Sequence, residues 1–414
     1  GMLEGFDAHI DYTGRQPMRY WLRNDCMGES AMALAFDGVV HDDARSRTVA
    51  RNMVDFICFD SNLTNGARAN PSSASFGLFG WNTDAGVGVY YGDDNARSLL
   101  GCIASSVLLK DVDWDRRLLR CLLANLRTTG RLGFRGGRLD EEPLQAAGWE
   151  SFWNADTIHY APHYEAYLWA CFLWAYSRTG YEPFLERTKT ALKMTMEIYP
   201  DQWRWTNGLQ QERARLMLPL AWLVRIEDTL EHRAWLDWIV TDLLAFQDES
   251  GAIREQLGSE GMGSYGAVPS NEAYGTTEAP LIQSNGDPLC DLLYTTNFAF
   301  FGLHEAAAAT GQAKYRDAED KLAQFLCRIQ IESEKHPELD GGWFRAFDFG
   351  RWEYWASSAD LGWGAWSIES GWTVGWISSV YALRALDTSY WELTAESGLG
   401  RHLDELLPQM FPPK

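Results

Sequence analysis

Residues 352–386 read WEYWASSADLGWGAWSIESGWTVGWISSVYALRAL, and their order is typical of the rest of the chain. The first half is rich in Gly, Ser and Trp and carries the carboxylates of Glu353, Asp360 and Glu369. The second half has apolar residues at helical spacing, which predicts a buried helix. The same order, a polar aromatic loop followed by an apolar helix, recurs around residues 90–97 and 153–163. This repetition is the main indication of function.

Apolar periodicity along the chain predicts about twelve helices. Short turns join the helices within each pair except the last, whereas most of the links between pairs are long, so the long loops lie together at one end of the molecule. The expected helices cover residues 18–36, 42–59, 93–109, 115–128, 161–178, 183–198, 208–226, 231–246, 288–310, 313–331, a segment opening near Ser367, and a weak segment at 402–410.

The helices that follow long loops are the more continuously apolar ones, so we expect them to be inner helices covered on all sides. Their more charged partners form an outer ring. The prediction is an all-α fold, an (α/α)6 toroid of six helical hairpins over residues 1–414, with the long loops forming a funnel. An open solenoid is the alternative, but irregular hairpin spacing and the absence of a fixed sequence repeat favour a closed ring.

The net charge of −21 and the lack of a Lys/Arg cluster argue against a nucleic-acid partner. No apolar run has the length needed to span a bilayer, so we expect a soluble protein without membrane insertion. The sequence shows no signal-peptide pattern, and both a periplasmic and a cytoplasmic location stay open. Gly1 before Met2 resembles a tag remnant, which leaves room for a removed leader or upstream domain.

Neither a cofactor nor a metal is indicated. No P-loop or dinucleotide glycine fingerprint occurs in a strand-turn-helix setting. The seven cysteines lack paired spacing and sit mostly in apolar helical runs, which favours buried free thiols. His159 and His163 are four residues apart, but Pro162 between them belongs at a first turn, and no third metal ligand is evident.

The hairpin count, the chain length and stretches such as 362–366 (GWGAW) resemble the six-hairpin glycosidase superfamily, α/α-barrel enzymes that act on sugars and uronic-acid oligosaccharides. Residues 23–29 (RNDCMGE) and 90–97 (YYGDDNAR) are similar to segments of uncharacterised glycoside-hydrolase-like bacterial proteins. The resemblance implies an active site in the funnel, at the N-terminal ends of the inner helices. It implies no role for an individual residue.

Glycoside hydrolysis needs a carboxylic acid and a second carboxylate. Asp93 and Asp94 are adjacent at a predicted helix start, where their repulsion could raise one pKa; alternatively, Asp93 caps the helix and Asp94 pairs with Arg97. Glu369 opens the last strong helix among Trp363, Trp366 and Trp372, where an apolar wall favours a protonated acid. Its alternative role is a first-turn cap. Asp360 could simply shape its loop.

Two more clusters open inner helices. One cluster lies at the start of the third inner helix and consists of Asp156, His159, Tyr160 and His163. Its histidines are expected either to bind sugar hydroxyls or to face solvent. Glu212 pairs at helical spacing with Arg215, although Arg215 and Arg97 could instead hold a uronate carboxylate bidentately.

Tryptophans spread over the loops could stack on sugar rings, with loop packing as the alternative.

The sequence therefore predicts a glycoside hydrolase that acts on an oligosaccharide by paired-carboxylate acid/base catalysis, with uronic-acid oligosaccharides among the candidate substrates. Asp94 and Glu369 are the leading catalytic residues, with Glu212 and Asp156 in reserve. The expected substrate-binding residues are Asp93, Arg97, His159, Tyr160, His163, Trp205, Arg215, Asp360, Trp366 and Trp372. The alternatives are a sugar 2-epimerase or uronate lyase that uses His159 or His163 for proton transfer, and a non-catalytic carbohydrate-binding domain. The oligomeric state stays open.

Overall fold

The computed structural model describes residues 1–265, 270–273 and 275–412, apart from the side chain of Asn271. Part of the third long loop, residues 266–269 and 274, lies outside this description. The helices within it are α1 (Asn24–Val40), α2 (Ala44–Asp55), α3 (Gly92–Leu109), α4 (Asp115–Arg127), α5 (Glu141–Ala147), α6 (Trp149–Trp153), α7 (Pro162–Thr179), α8 (Glu182–Glu197), α9 (Leu209–Ile226), α10 (Leu230–Leu244), α11 (Asn297–Thr310), α12 (Ala313–Arg328), α13 (Trp376–Ala385), α14 (Tyr390–Leu393) and α15 (Leu403–Met410).

Six of these helices form a closed inner ring. In order around the ring, α1 packs on α3, α3 on α7, α7 on α9, α9 on α11 and α11 on α13, and α13 returns to α1. Their sequences explain their position, since α7 is buried without interruption from Glu165 to Ala175 and α9 from Leu209 to Val224. Helix α12, by contrast, buries only one face and lies outside the ring. The predicted closed toroid is confirmed.

Short strands fix the loops at the N-terminal ends of the inner helices. Strands β3 and β4 pair next to the start of α3, and strands β5 and β6 pair next to the start of α11. Strands β1, β2 and β7 form a small sheet next to the turn that leads into α13. Two π-helical turns, Leu292–Thr296 and Ser370–Gly375, lead into α11 and α13. The strands are β1 (Gly5–Phe6), β2 (Met18–Arg19), β3 (Val89–Tyr91), β4 (Arg138–Asp140), β5 (Leu289–Asp291), β6 (Ala346–Asp348) and β7 (Ile368–Glu369).

Three helix starts differ from the sequence expectation. The helix expected from residue 288 begins at Asn297, because β5 and the first π-helical turn occupy the residues before it. The first helix begins at Asn24 and not near residue 18, because Met18 and Arg19 pair with β1 as a strand. The helix expected near Ser367 begins at Trp376, because β7 and the second π-helical turn occupy the preceding residues. Periodicity alone does not separate a short strand or a π-helical turn from the helix that follows it.

The last helix pair departs most from a regular hairpin. After α13 the chain turns through Asp387 in a left-handed conformation (φ +51°), and α14 then crosses the end of the ring opposite the funnel. Helix α15 packs on α4, the outer helix of the second hairpin. The end opposite the funnel is therefore covered by the segment that follows α13.

Of the seven cysteines, all are free and only Cys327 is exposed, which confirms most of the predicted buried thiols. Within the described residues, no helix has the length and hydropathy that crossing a bilayer requires.

Candidate active site

Each inner helix, or the π-helical turn that leads into it, carries a polar or aromatic side chain at the floor of the funnel. We call these six residues the upper ring: Asp25, Asp93, His163, Gln211, Tyr294 and Trp372. Gln211 lies next to His163, with its amide nitrogen 2.5 Å from Nδ1 of the imidazole. Tyr294 and Trp372 have ring centroids 4.9 Å apart, and Trp372 Nε1 donates to Asp25 Oδ2 at 2.9 Å. Side chains from all six inner helices or their leading turns therefore meet here.

A second set of six lies four residues further along each inner helix, about one helical turn deeper. This lower ring consists of Glu29, Arg97, Tyr167, Arg215, Phe298 and Trp376, all fully buried. Arg97 Nη1 donates to Glu29 Oε1 at 2.6 Å, and Trp376 Nε1 donates to the same oxygen at 2.8 Å. Across the ring, the Arg215 guanidinium carbon lies 3.7 Å from the Phe298 ring centroid and 5.1 Å from that of Tyr167.

Asp25 is the centre of an ion-pair network that joins the two rings. Arg23 Nη2 donates to Asp25 Oδ2 at 2.6 Å, and Arg97 Nη2 lies 2.9 Å from the same oxygen. Although burial acts against it, the two guanidinium groups hold the pKa of Asp25 below its ordinary range. Asp25 is therefore a buried anion whose hydrogen bonds are occupied by the protein.

Asp94 and Asp93 stand at the first turn of α3, and both are almost completely buried. Asp94 contacts Arg97 and lies 3.5 Å from Arg23, whereas Asp93 Oδ2 lies 3.4 Å from Arg97 Nη2. Burial, followed by the charges of Asp25 and Asp93, raises the pKa of Asp94 well above its ordinary value. The structure thus brings the predicted Asp93, Asp94 and Arg97 together at the funnel floor.

Glu369 lies behind the upper ring and caps the second π-helical turn. One of its oxygens accepts the backbone N–H of Trp372, and the other accepts the Cys26 thiol proton at 2.6 Å. Burial and the nearby charge of Glu29 raise the pKa of Glu369 well above its usual range. Because both oxygens have protein donors and the residue is fully buried, the capping role considered in the sequence fits this geometry.

Glu212 is also a cap. Its carboxylate accepts the backbone N–H of His163 at 2.5 Å and that of Thr206 at 3.1 Å, at the start of α7 and of α9. Burial raises its pKa to about 8 against the effect of these hydrogen bonds. The side chain ties two adjacent inner helices together where they enter the funnel.

The orientation of Gln211 determines the proton position on His163. The backbone N–H of Asn207 donates to Gln211 Oε1 at 3.0 Å, so the amide nitrogen of Gln211 faces His163 Nδ1. Nδ1 therefore accepts a hydrogen bond, and the neutral ring carries its proton on Nε2. Burial, together with the charges of Arg215 and Arg97, lowers the pKa of His163 well below its usual value. His163 is a neutral imidazole whose Nε2–H is a donor.

His159 has the opposite arrangement. Its Nδ1 lies 3.0 Å from Oε1 of Glu165, a buried carboxylate that also accepts the backbone N–H groups of Arg135 and Gly136. Nδ1 must therefore carry the proton, and Nε2 of the neutral ring is left with a lone pair. Tyr164 lies between the two histidines, with its ring centroid 5.6 Å from His159 and 4.5 Å from His163.

A second buried ion-pair cluster lies beside Tyr294 of the upper ring. Arg345 Nη2 lies 3.1 Å from Asp291, and its Nη1 lies 3.2 Å from Asp360. Asp360 also accepts the backbone N–H groups of Gly362 and Trp363, which is the loop-shaping role considered for it. The guanidinium carbon of Arg345 lies 4.8 Å from the Tyr294 ring centroid, so this cluster positions one member of the upper ring.

Four other predicted residues make contacts with loop or surface groups. Asp156 is exposed and pairs with Arg131 at 2.6 Å. Trp205 donates to Ser259 O at 3.2 Å within the third long loop, and Trp366 donates to Tyr354 O at 2.8 Å. Tyr160 packs edge-on against Phe134. These contacts are those expected of loop packing.

Several residues of the site were missed in the sequence. The lower ring follows from a simple rule, because each member stands four residues after an upper-ring residue on the same helix face. Asp291 ends a short strand just before a helix, as Glu369 does. The roles of Glu165 and Gln211 could not be read from the sequence, because they depend on partners from other segments. Within the described ranges, no group of three His, Cys, Asp or Glu side chains is arranged to hold a metal ion.

Comparison with known proteins identifies the fold. No protein-family model and no curated protein matches the sequence. Among solved structures, a D-mannose isomerase superposes with a TM-score of 0.58 at 11% identity, covering 94% of this chain and 91% of its own. The cellobiose 2-epimerase of Spirochaeta thermophila gives 0.58 at 12% identity, covering 93% of this chain and 90% of its own. An unsaturated glucuronyl hydrolase specific for heparin gives 0.53 at 9% identity, covering 93% and 92%.

Identities this low establish a common fold and no shared chemistry. The three matches extend over nearly the whole of each chain, so the likeness includes the complete ring of helices. The chain therefore shares the (α/α)6 toroid fold with these three proteins, which is the fold that the sequence resemblance implied.

Proposed function

We propose that this chain is a sugar isomerase or epimerase, which moves a proton on a carbon next to a carbonyl group. The observation that carries the proposal is the pair of histidines beside the upper ring. His159 Nδ1 faces the carboxylate of Glu165, whereas His163 Nδ1 faces the amide nitrogen of Gln211. One neutral ring therefore offers a lone pair at Nε2, and the other offers a proton there.

These two arrangements match the two tasks of the reaction. His159 would take the proton from the carbon next to the carbonyl, with Glu165 orienting the ring and stabilising its cation. His163 would donate its Nε2–H to the carbonyl oxygen as negative charge develops there, and a neutral imidazole suits this task. Return of the proton from His159 to the former carbonyl carbon, with transfer of the neighbouring hydroxyl proton to Nε2 of His163, gives the isomer. Return of the proton to the same carbon, after the intermediate has turned its other face toward His159, gives the epimer, and the proton on the former carbonyl oxygen then goes back to His163.

The positions of three expected catalytic carboxylates favour proton transfer over hydrolysis. Glu369 and Glu212 each accept two hydrogen bonds from the protein, and both are fully buried. Asp156 is at the surface. The two similar structures with a TM-score of 0.58 are described as an isomerase and an epimerase. The proposal therefore favours the proton-transfer alternative from the sequence over the paired-carboxylate mechanism.

The test is deuterium exchange in D2O. The protein is incubated with free aldoses, including mannose, glucose and cellobiose, and NMR follows loss of the C2 proton and formation of the epimer or ketose. We expect exchange without bond cleavage, reduced at least about a hundredfold in His159→Asn and in His163→Asn, since general acid/base groups contribute roughly 10² to 10⁴.

Asp156→Asn is the matched control, because Asp156 lies on the same loop as His159 but faces solvent. It should retain full exchange. Exchange that survives both histidine changes would contradict the proposal. Saturable sugar binding by the wild type with no turnover of any substrate would favour the binding-domain alternative.

Glycoside hydrolysis is the second candidate, and one observation favours it. The carboxyl groups of Asp25, Asp93 and Asp94 crowd around Arg97, and burial raises the pKa of Asp94. A protonated carboxyl at the funnel floor is what a leaving glycosidic oxygen requires. Release of reducing ends from glycans or aryl glycosides, lost in Asp94→Asn and retained in His159→Asn, would select hydrolysis.

A further inference from the structure

Within the part of the chain that the structure describes, the Arg215 guanidinium has no hydrogen-bond partner. It is fully buried on α9, and none of its three nitrogen atoms has a partner among the described residues. The other buried guanidinium groups of the rings and their wall are engaged, since Arg97 contacts Glu29 and Arg345 contacts Asp291. An isolated buried cation is costly, and proteins normally pair such a group.

The surroundings of Arg215 do not supply a counter-charge at contact distance. Its flat face lies on Phe298, and Trp372 and Tyr167 complete an aromatic cage at 5.3 Å and 5.1 Å from the guanidinium carbon. Aromatic faces stabilise the cation but accept none of its N–H groups in the plane of the fork.

Further polar atoms around the same axis are also unpartnered. Three further atoms of the lower ring are buried and have no hydrogen-bond partner among the described residues: Tyr167 Oη, Arg97 Nε and Glu29 Oε2. The Glu29 carboxylate is already bound by Arg97 through Oε1, whereas Tyr167 lies beside Arg215. Two donors and a cation thus surround one region of the toroid axis, just beneath the upper ring.

We infer that the lower ring is a binding site for one small anion of carboxylate type, held by the Arg215 guanidinium fork and the Tyr167 hydroxyl. A planar carboxylate can accept two parallel N–H bonds from the fork, and the aromatic cage excludes bulkier hydrated ions. The same chemistry has two sources, a free small carboxylate such as formate and the carboxylate of an acidic sugar entering from the funnel. The site itself is independent of the proposed reaction.

The test measures binding without turnover. The protein is exchanged into a buffer with a bulky sulfonate as the only anion, and Tm is followed while sodium formate, chloride or glucuronate is added at constant ionic strength, with glucose as the neutral control. Because a ligand that binds only the folded state stabilises it, we expect a saturable rise of about 2 °C with at least one anion. Glucose should give no such rise at the same concentration.

Arg215→Met keeps the length of the side chain and removes the charge. We expect the anion response to vanish in this variant, whereas its Tm in the sulfonate buffer equals or exceeds that of the wild type, because an uncompensated cation has been removed. Arg213→Met is the matched control. Arg213 is buried on the same helix but hydrogen-bonds Tyr199 and Gln256, so its loss should lower Tm and leave the anion response unchanged.

A larger response to glucuronate than to formate identifies a sugar carboxylate as the ligand, and a response to formate with none to glucuronate identifies a free small carboxylate. A response to chloride equal to that to formate overturns the carboxylate-type site, because a spherical ion does not require the planar fork. No anion dependence in the wild type, or an undiminished response in Arg215→Met, overturns the site. His163→Asn should retain the anion response, so failure of the proposed reaction can be told apart from failure of the site.

Discussion

The two ends of the toroid use similar side chains in opposite ways. At the end that α14 covers, Glu305 accepts Trp222 Nε1 at 2.8 Å and the backbone N–H of Tyr390 at 2.6 Å. The Tyr390 hydroxyl donates to Leu100 O at 2.7 Å, and Trp174 Nε1 donates to Thr394 at 2.8 Å. At the funnel end, Arg215 and Tyr167 are equally buried and lack partners among the described residues.

This difference distinguishes buried polar groups that contribute to stability from those that are available for binding. Buried polar groups that hydrogen-bond within the chain hold the ring together, and removing one of them leaves its partners without a hydrogen bond. Buried polar groups without a protein partner are poor for stability and are retained where something else binds. The comparison can be tested at both ends.

The largest effect is expected at the covered end. Glu305→Ala removes a charged acceptor and leaves two buried N–H groups without a partner, which should lower the free energy of unfolding by about 3 to 5 kcal/mol. Urea unfolding followed by circular dichroism measures this change. A loss below about 1 kcal/mol would contradict the role of Glu305 as the anchor of α14, since even one ordinary hydrogen bond contributes that much.

The next effect is on the proposed activity at the funnel end. Gln211→Glu places a carboxylate opposite His163 Nδ1, so the ring proton moves to Nδ1 and Nε2 loses its donor. We expect the exchange rate to fall about a hundredfold, or roughly 2.7 kcal/mol in the barrier. A rate equal to that of the wild type, with a crystal structure of the variant showing the new carboxylate in contact with Nδ1, would exclude His163 as the donor.

A pH dependence of stability is expected near the covered end. His304 Nδ1 lies 2.9 Å from Glu319, and its Nε2 lies 2.9 Å from Thr388 O, so both nitrogens face acceptors. Burial lowers the pKa of His304, but the hydrogen bond to Glu319 and the charges of Glu305 and Glu319 more than offset this, and the pKa is raised above its usual value.

The raised pKa of His304 determines how its contribution to stability depends on pH. A histidine whose pKa is higher in the folded state contributes stability that is fully present below its unfolded pKa, about 6.5, and is lost as pH rises through the folded pKa. We expect His304→Gln to lower the free energy of unfolding by about 1 to 2 kcal/mol at pH 5.5, and by progressively less as pH rises toward 9. Urea unfolding at a series of pH values measures the difference. A constant difference would show that His304 does not change its charge.

The smallest effect is expected at the funnel rim. Asp156 and Arg131 form an exposed ion pair, with side chains 59% and 58% exposed. Asp156→Asn should change the free energy of unfolding by less than about 0.5 kcal/mol, because exposed pairs contribute little. Thermal unfolding and the exchange assay together check that neither stability nor activity depends on it.

The fold could be predicted because its evidence is local. Continuous burial in α7 and α9 appears in the sequence as unbroken apolar runs, and alternating loop lengths show which helix ends share a face of the molecule. The same rule predicted that Asp93, His163 and Glu212 stand at the starts of inner helices, and all three lie in the first turns of α3, α7 and α9. The strands and π-helical turns were missed because they are short and precede apolar helices without a change of composition.

The state of each side chain could not be predicted, because it depends on partners far away in the chain. Cys26, 343 residues before Glu369, donates a hydrogen bond to it. The two histidines look alike in the sequence, and they differ only because His159 meets Glu165 and His163 meets Gln211. Arg215 was considered as a carboxylate ligand on residue type alone, and its lack of a partner becomes visible only in three dimensions.

The pairing of β1 with β7 has a consequence for synthesis. Gly5 pairs with Glu369, and α1 packs on α13, so the ring closes between its first and last hairpins. The ribosome must synthesise every residue from β1 to β7 before this contact can form, and contacts of such sequence separation form late in folding. The nascent protein is therefore an open arc with one apolar flank on α1 and another on its newest inner helix. Both flanks need shielding until β7 and α13 emerge.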